Sequence, residues 1–251
     1  LEFSLIELSP SLKVFCVMCH DSNLIELFAD LCFSLIKVLK TIQEPIARAQ
    51  STILRANAWS DLLKRGKKDL SREQIMGLVC ELKFLQDKWL NSNRTIHTWF
   101  GPERKTQDFL DDQSTIAVEV KHISTENIFR ISSIYQLEYQ GALYLYGYKL
   151  KSSDNGESLN ELTELLKSKL SPTDASDFES KLVSIGYISS TAYDEKFEII
   201  ETTCFEVSAT FPKIIKGSLP GIVQASYSIQ ISEEFKQFEI TEKELEARLE
   251  R

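Results

Sequence analysis

The feature that most limits what this chain can fold into is a change in hydrophobic spacing partway along it. In residues 23–40, Leu24, Leu27, Phe28, Leu31, Leu35 and Leu39 recur every three or four positions, the repeat of an amphipathic helix, with Asn23 and Glu26 in capping-box positions. Pro45 suits the first turn of a second helix that runs through Trp59 and Leu63 and stops at Gly66. Ser71 and Gln74 cap a third, carried by Ile75, Leu78, Leu82 and Leu85 as far as Leu90. Beyond that point the apolar runs shorten. Residues 95–99, 106–110 and 114–123 read as strands parted by Gly101-Pro102 and Asp111-Asp112-Gln113, both good turn formers. A short helix at 133–138 and an aromatic strand at 142–150 follow, and residues 3–8 and 12–18, around Ser9-Pro10-Ser11, read as two strands ahead of the helices. This order predicts a mixed sheet covered by helices, an α/β fold rather than a bundle or a sandwich.

Polar residues 151–157, with Asp154-Asn155-Gly156, are the expected linker, and charge changes at the same place. Residues 1–150 hold 18 Lys+Arg against 18 Asp+Glu, whereas residues 151–251 hold 11 against 19. The expected division is therefore 1–150, with N-terminal strands and helices plus the sheet core, and 151–251, an acidic α+β region. In the second part, 159–170 and 174–185 read as helices, 187–188, 197–207 and 222–231 as strands, and 241–251 as a charged terminal helix. That region is either a small winged-helix-like unit or extra layers on the first core. Glu242, Glu244, Glu246 and Glu250 read as a solvated helix face. The net charge of -8 runs against a chain that meets nucleic acid, but the balanced first part leaves room for a local basic groove. No apolar stretch approaches the roughly 20 residues of a membrane span. Without a basic, apolar leader, and with five cysteines odd in number and mostly in apolar runs, a reduced cytoplasmic protein is expected. Leu1 is not a natural initiator, so a segment upstream is expected too.

The stretch that carries chemistry runs from Gln107 to Lys121. Strand side chains alternate faces, so Glu119 and Lys121 share one side while Val118 and Val120 take the other. If the flanking strands pair around Asp111-Asp112, Asp108 comes beside them. Two carboxylates and an ammonium then converge, as metal-assisted phosphodiester hydrolysis requires: hard oxygens hold Mg²⁺, and Lys121 orients water and offsets charge on the phosphate. Glu81 joins the set because it lies among the apolar residues of the third helix, where an uncompensated carboxylate is costly.

Asp108 with Glu119-Val120-Lys121, preceded by helical Glu81, resembles the PD-(D/E)XK signature of restriction-endonuclease-like nucleases. More closely, the chain resembles a bacterial family of PD-(D/E)XK proteins found with DNA methyltransferases in phage-defence neighbourhoods. The matching features are Leu70-Ser71, Gly77-Leu78, Glu81-Leu82, Trp99-Phe100-Gly101-Pro102, Asp108-Phe109, Glu119-Val120-Lys121, Ile131-Ser132-Ser133, Gln136-Leu137 and Phe211-Pro212, which cover most of the chain. The resemblance implies a restriction-endonuclease-like core and a Mg²⁺-dependent deoxyribonuclease, with Mn²⁺ as substitute, acting on DNA in restriction or phage defence. It implies Asp108 and Glu119 as metal ligands, Lys121 as catalytic lysine, Glu81 as accessory ligand or water-positioning acid, and Gln136 as a site-organising residue. Partners implied are DNA and a methyltransferase or other defence proteins; a homodimer is expected because double-strand cleavage uses two sites. Gln107 stands where the name-giving motif has proline, and the family extends further upstream than Leu1.

Each feature has a plainer reading. Glu119 and Lys121 can form an ion pair on an edge strand, and a non-cleaving subunit of the same fold, with its acidic part as a docking surface, is the alternative function. Cys16-Val17-Met18-Cys19-His20 spells a haem or zinc half-site but reads as buried thiols on a strand. Of the other histidines, His97 and His122, the second reads as a phosphate-side or core contact rather than a general base. Tyr144, Tyr146 and Tyr148 share one strand face, where they either stack on bases or pack.

Overall fold

A computed structural model describes residues 2–10, 12–65, 69–217 and 220–250. The chain divides into two compact units, one of Leu1–Lys68 with Leu170–Gly186 and one of Asp69–Lys169 with Tyr187–Arg251. No helix among the described residues is long and apolar enough to cross a membrane.

The first unit opens with an antiparallel hairpin of β1 (Glu2–Ser9) and β2 (Leu12–Met18). Ser11, in the expected turn, lies outside the described residues. Helix α1 (Ile25–Thr41) begins after a 3-10 turn at Ser22–Leu24, which is capped by Asp21, whose carboxylate accepts from the Asn23 N–H at 2.9 Å. The capping box expected at Asn23 and Glu26 does not form: the N-cap of α1 is Leu24, without a side-chain cap hydrogen bond. Leu27, Leu31, Leu35 and Val38 form the buried stripe of α1, which packs on α2 (Pro45–Arg65). Gly66, the expected stop of α2, lies outside the described residues. Pro172–Ile185, the fifth helix in chain order, also packs on α2.

The second unit starts with α3 (Arg72–Phe84), whose capping box forms as expected: Gln74 N–H donates to Ser71 Oγ and Ser71 N–H to the Gln74 side chain. The helix continues through a π turn at Leu85–Trp89 and a 3-10 turn at Leu90–Ser92. A six-stranded mixed sheet follows, built from β3 (Phe109–Leu110), β4 (Ile116–Ile123), β5 (Ile128–Ile131), β6 (Ala142–Ser158), β7 (Lys196–Glu206) and β8 (Tyr227–Gln230). Its order is β7-β6-β4-β5-β8, with β3 also paired to β4. Only β4 and β6 run parallel. Helix α3 packs on β4 and β6, and α4 (Leu159–Lys169) on α3 and β6. This is the α/β architecture of a restriction-endonuclease-like core, a mixed sheet flanked by helices. Ala117, Ile123, Phe129, Leu143, Leu145, Phe205 and Ile229 belong to its continuous apolar core.

Several local expectations are corrected. Residues 95–99 are not a strand: Ile96–Thr98 is a 3-10 turn, and only Trp99 makes an isolated bridge, to Phe109. Residues 133–138 form consecutive turns rather than a helix, closed by Gln136 N–H to Ser133 O and Glu138 N–H to Tyr135 O, each 3.1 Å. The linker expected at residues 151–157 is the second half of β6; Ser152 and Glu157 both pair with Phe197, and the residues between them loop out. Gly156 lets the backbones approach, since a Cβ there would come within 2.2 Å of the Phe197 carbonyl carbon. Residues 187–188 are not a strand. Of the two readings of the acidic region, extra layers on the first core fit its strands β7 and β8, which complete the same sheet. The region's last helix, α6 (Glu242–Leu249), buries Leu245 and Leu249 and keeps its acidic face largely exposed, as expected; Lys88 Nζ lies 2.7 Å from both Glu242 and Glu246, and Glu244 closes a capping box with Thr241. These bonds, Lys88 first, hold the Glu242 carboxyl down at about 2.

Gly147 of β6 pairs with Lys121 in register. A Cβ at Gly147 would sit 2.5 Å from Ile123 Cδ1 and 2.7 Å from the Phe129 ring. Gly147→Ala is therefore expected to cost about 1–3 kcal/mol through overpacking. Urea unfolding checks this as a lowered midpoint with an unchanged slope.

Candidate active site

The site is assembled where β3 meets β4. Phe109 pairs with Val118 and Leu110 with Ala117, and Asp108, immediately before β3, extended along that register would face Glu119. Directly opposed residues on antiparallel strands share a face, their Cβ atoms about 5 Å apart. Pairing around the Asp111 turn is thus what the sequence implied. The turn is held by Asp111, which accepts from Thr115 N at 2.6 Å, Ile116 N at 2.8 Å and the Thr115 hydroxyl at 2.6 Å. Asp108 itself accepts the Val120 N–H at 2.8 Å, and its backbone carbonyl accepts from Phe100 and Gly101.

Glu119 is fully buried, and Lys121 Nζ lies 2.5 Å from its Oε1. Neither Glu119 oxygen meets strict hydrogen-bond geometry, though Lys121 and the Asp108 backbone lie close enough to draw its carboxyl down. Burial, then the charge of Asp108, pushes the Glu119 carboxyl up to about 8, against the pull of Lys121. Burial also raises Asp108, opposed by Lys121 and the Val120 N–H. For Lys121, burial favours the neutral amine but is outweighed by Glu119, Asp108 and Glu81, so the ammonium is held more firmly than usual.

Glu81 enters from α3. Its Oε2 accepts the Trp99 indole N–H at 2.8 Å, and burial together with the Asp108 charge lifts its carboxyl well above the usual range. Gly101 makes room for it: a Cβ there would fall 2.0 Å from Glu81 Oε2. The structure thus brings Glu81, Asp108, Glu119 and Lys121 into one electrostatic neighbourhood. Among the described residues, no three His, Cys, Asp or Glu side chains are drawn together as a metal-binding cluster.

The backbone carbonyl of Gln136 lies 3.5 Å from the Gln107 amide, next to Asp108. The Gln136 side-chain oxygen accepts the Ser132 N–H at 2.7 Å and shapes the turn at 132–138. The residue that ties this turn to the site is Gln107, buried, whose amide donates to the carbonyls of Tyr135 at 3.2 Å and Glu138 at 3.0 Å. Sequence reasoning noted Gln107 only as a missing proline and Trp99 only as part of a matched run; their roles rest on contacts that no local pattern displays. Tyr144, Tyr146 and Tyr148 are buried, with the Tyr146 ring centroid 5.1 Å from that of Phe84 and the planes tilted by 58°, so they pack. Cys16 and Cys19 are half-buried rather than buried, and His20 pairs with Glu2 at 3.1 Å. His122 is half-buried, and that burial, with the nearby Arg72, favours its neutral form.

A search of curated proteins and one of solved structures each return no significant match. Residues 3–232 match the family described as "Putative PD-(D/E)XK family member, (DUF4420)". The match spans most of the chain, and the chain belongs to this PD-(D/E)XK family.

Proposed function

We propose that this protein is a divalent-cation-dependent DNA endonuclease, acting in the cytoplasm in restriction or phage defence beside a methyltransferase or other proteins of the same system. Family membership supports a nuclease-like function in general. One observation carries the chemistry: the fully buried Glu119 carboxyl, paired with the Lys121 ammonium, shares an electrostatic neighbourhood with Asp108 and Glu81. Three carboxyls against one ammonium in a desolvated site are costly unless a further cation compensates them. The donors present are hard oxygens, which suit Mg²⁺ or Mn²⁺: Asp108 and Glu119 would hold the ion, with Glu81 as accessory. Such an ion, when bound, polarises a phosphoryl oxygen and acidifies the water it carries.

The chain's own residues supply the rest. Lys121 keeps its proton, so it serves as a hydrogen-bond donor to attacking water and as a counter-charge to the developing phosphate, not as a general base. Glu119, protonated to about pH 8 when alone with its neighbours, must release that proton before it can ligate, so cation affinity rises with pH. Arg104 and Lys105 are exposed on the turn that carries Gly101, and on this reading they would contact backbone phosphates.

Supercoiled plasmid incubated with the protein and Mg²⁺ or Mn²⁺ tests the reading. Wild type is expected to cut, and Glu119→Ala or Lys121→Ala to slow cutting by about 100-fold or more. The same residual cutting in all three proteins would defeat the enzyme reading. It would favour a non-cleaving DNA-binding or assembly subunit, a reading supported by the absence of a three-ligand cluster among the described residues.

A further inference from the structure

Helix α1 carries two apolar seams where a surface helix needs one. The first, Leu27, Leu31, Leu35 and Val38, is buried in its own unit. The second is Ile25, Ala29, Cys32, Ile36 and Leu39, spaced four, three, four and three residues apart, with Phe33 alongside. Ile25 is 62% exposed, Phe33 72% and Leu39 49%. A four-three repeat is the spacing at which side chains of two helices interlock as knobs in holes.

Charge selects the occupant. The exposed acids Glu26 and Asp30 lie in the first half of α1, and the exposed Lys37 and Lys40 in the second. A parallel copy would set like against like. An antiparallel copy sets acid against base, with Phe33 midway between Glu26 and Lys40 in sequence and therefore at the two-fold axis. Glu26 of each copy then meets Lys40 of the other, and the two helix dipoles oppose favourably.

We propose that the second seam of α1 is a homodimer interface, in which α1 packs antiparallel on α1 of a second copy about an axis at Phe33. The interface is independent of the chemistry assigned to the candidate active site. It is tested on the full chain by sedimentation velocity over a concentration series, with circular dichroism as a check on folding. Wild type is expected to dimerise and Phe33→Asp/Ile36→Asp, which alters only exposed positions, to be a folded monomer. Glu26→Lys and Lys40→Glu are each expected to weaken dimerisation by about tenfold, and the double reversal to restore it. Only an antiparallel register predicts that rescue. A wild type that stays monomeric, a dimer indifferent to Phe33→Asp/Ile36→Asp, or a double reversal no better than the single changes would overturn the proposal.

Discussion

Glu119→Gln is expected to make the metal-free protein more stable at pH 8 while removing cation-dependent cleavage. The wild-type carboxyl titrates at about 8 in the folded chain against 4.5 ordinarily, chiefly through burial and the charge of Asp108. Between those values the folded state holds a proton that the unfolded state has released, so stability falls as pH rises through the window. Glutamine has no such titration. The variant's advantage is therefore largest at pH 8 and disappears towards pH 5, where the wild-type group is protonated in the folded state and increasingly so in the unfolded one. With loss of the Lys121 ion pair set against the relieved burial, the gain at pH 8 is about 2 kcal/mol. Thermal melts at several pH values measure it. A variant less stable than wild type at pH 8 would mean that the Glu119 carboxylate is well satisfied without a cation, and the argument for an ion there would lose its footing.

The second large effect lies in the first unit. Arg55 is 2% exposed and donates to Ser180 Oγ at 2.9 Å, Ser34 Oγ at 2.5 Å, the Ser176 carbonyl at 2.8 Å and Glu179 at 2.9 Å. These partners lie on α1 and on the Pro172–Ile185 helix, so one planar guanidinium on α2 joins three helices. Lys37 also reaches Glu179, at 2.6 Å. Arg55→Met keeps much of the volume but strands the serine hydroxyls and leaves Glu179 with one cation. The expected cost is about 3 kcal/mol. Adding Glu179→Gln should recover part of that loss, because removing both charges is milder than removing one. Thermal or denaturant unfolding of the two variants decides it; a loss below about 0.5 kcal/mol, the ordinary range of a neutral surface change, would show that the network contributes little.

What could be read from the sequence was what local physics writes locally. The Ser71–Gln74 box, the apolar stripe of α3 and the alternation of Glu119 and Lys121 each need only neighbours in the chain, and each is present in the structure. The turn at Asp111-Asp112 implied the β3–β4 pairing, and with it Asp108 comes to β4, where its carboxylate accepts the Val120 N–H. Features decided by distant partners were hidden. Residues 151–157 are polar and look like a linker, yet Lys151, Ser152 and Glu157 pair with β7. Glu242 and Glu246 read as a solvated face, and nothing near them in the chain points to Lys88, far off in sequence, as their cation. Gln136 and Gln107 are indistinguishable by composition; only the fold shows that the first serves its own turn and the second reaches across from the strand bearing Asp108.

The central claim is that Glu119 and Asp108 face a single divalent ion. Crystals of wild type and of Glu119→Gln soaked in Mn²⁺, with anomalous scattering recorded from each, test it most directly. A peak between Asp108 and Glu119 in wild type, lost in the variant, is the result predicted. A wild-type crystal without density at those side chains, or a peak that persists unchanged in Glu119→Gln, would contradict it.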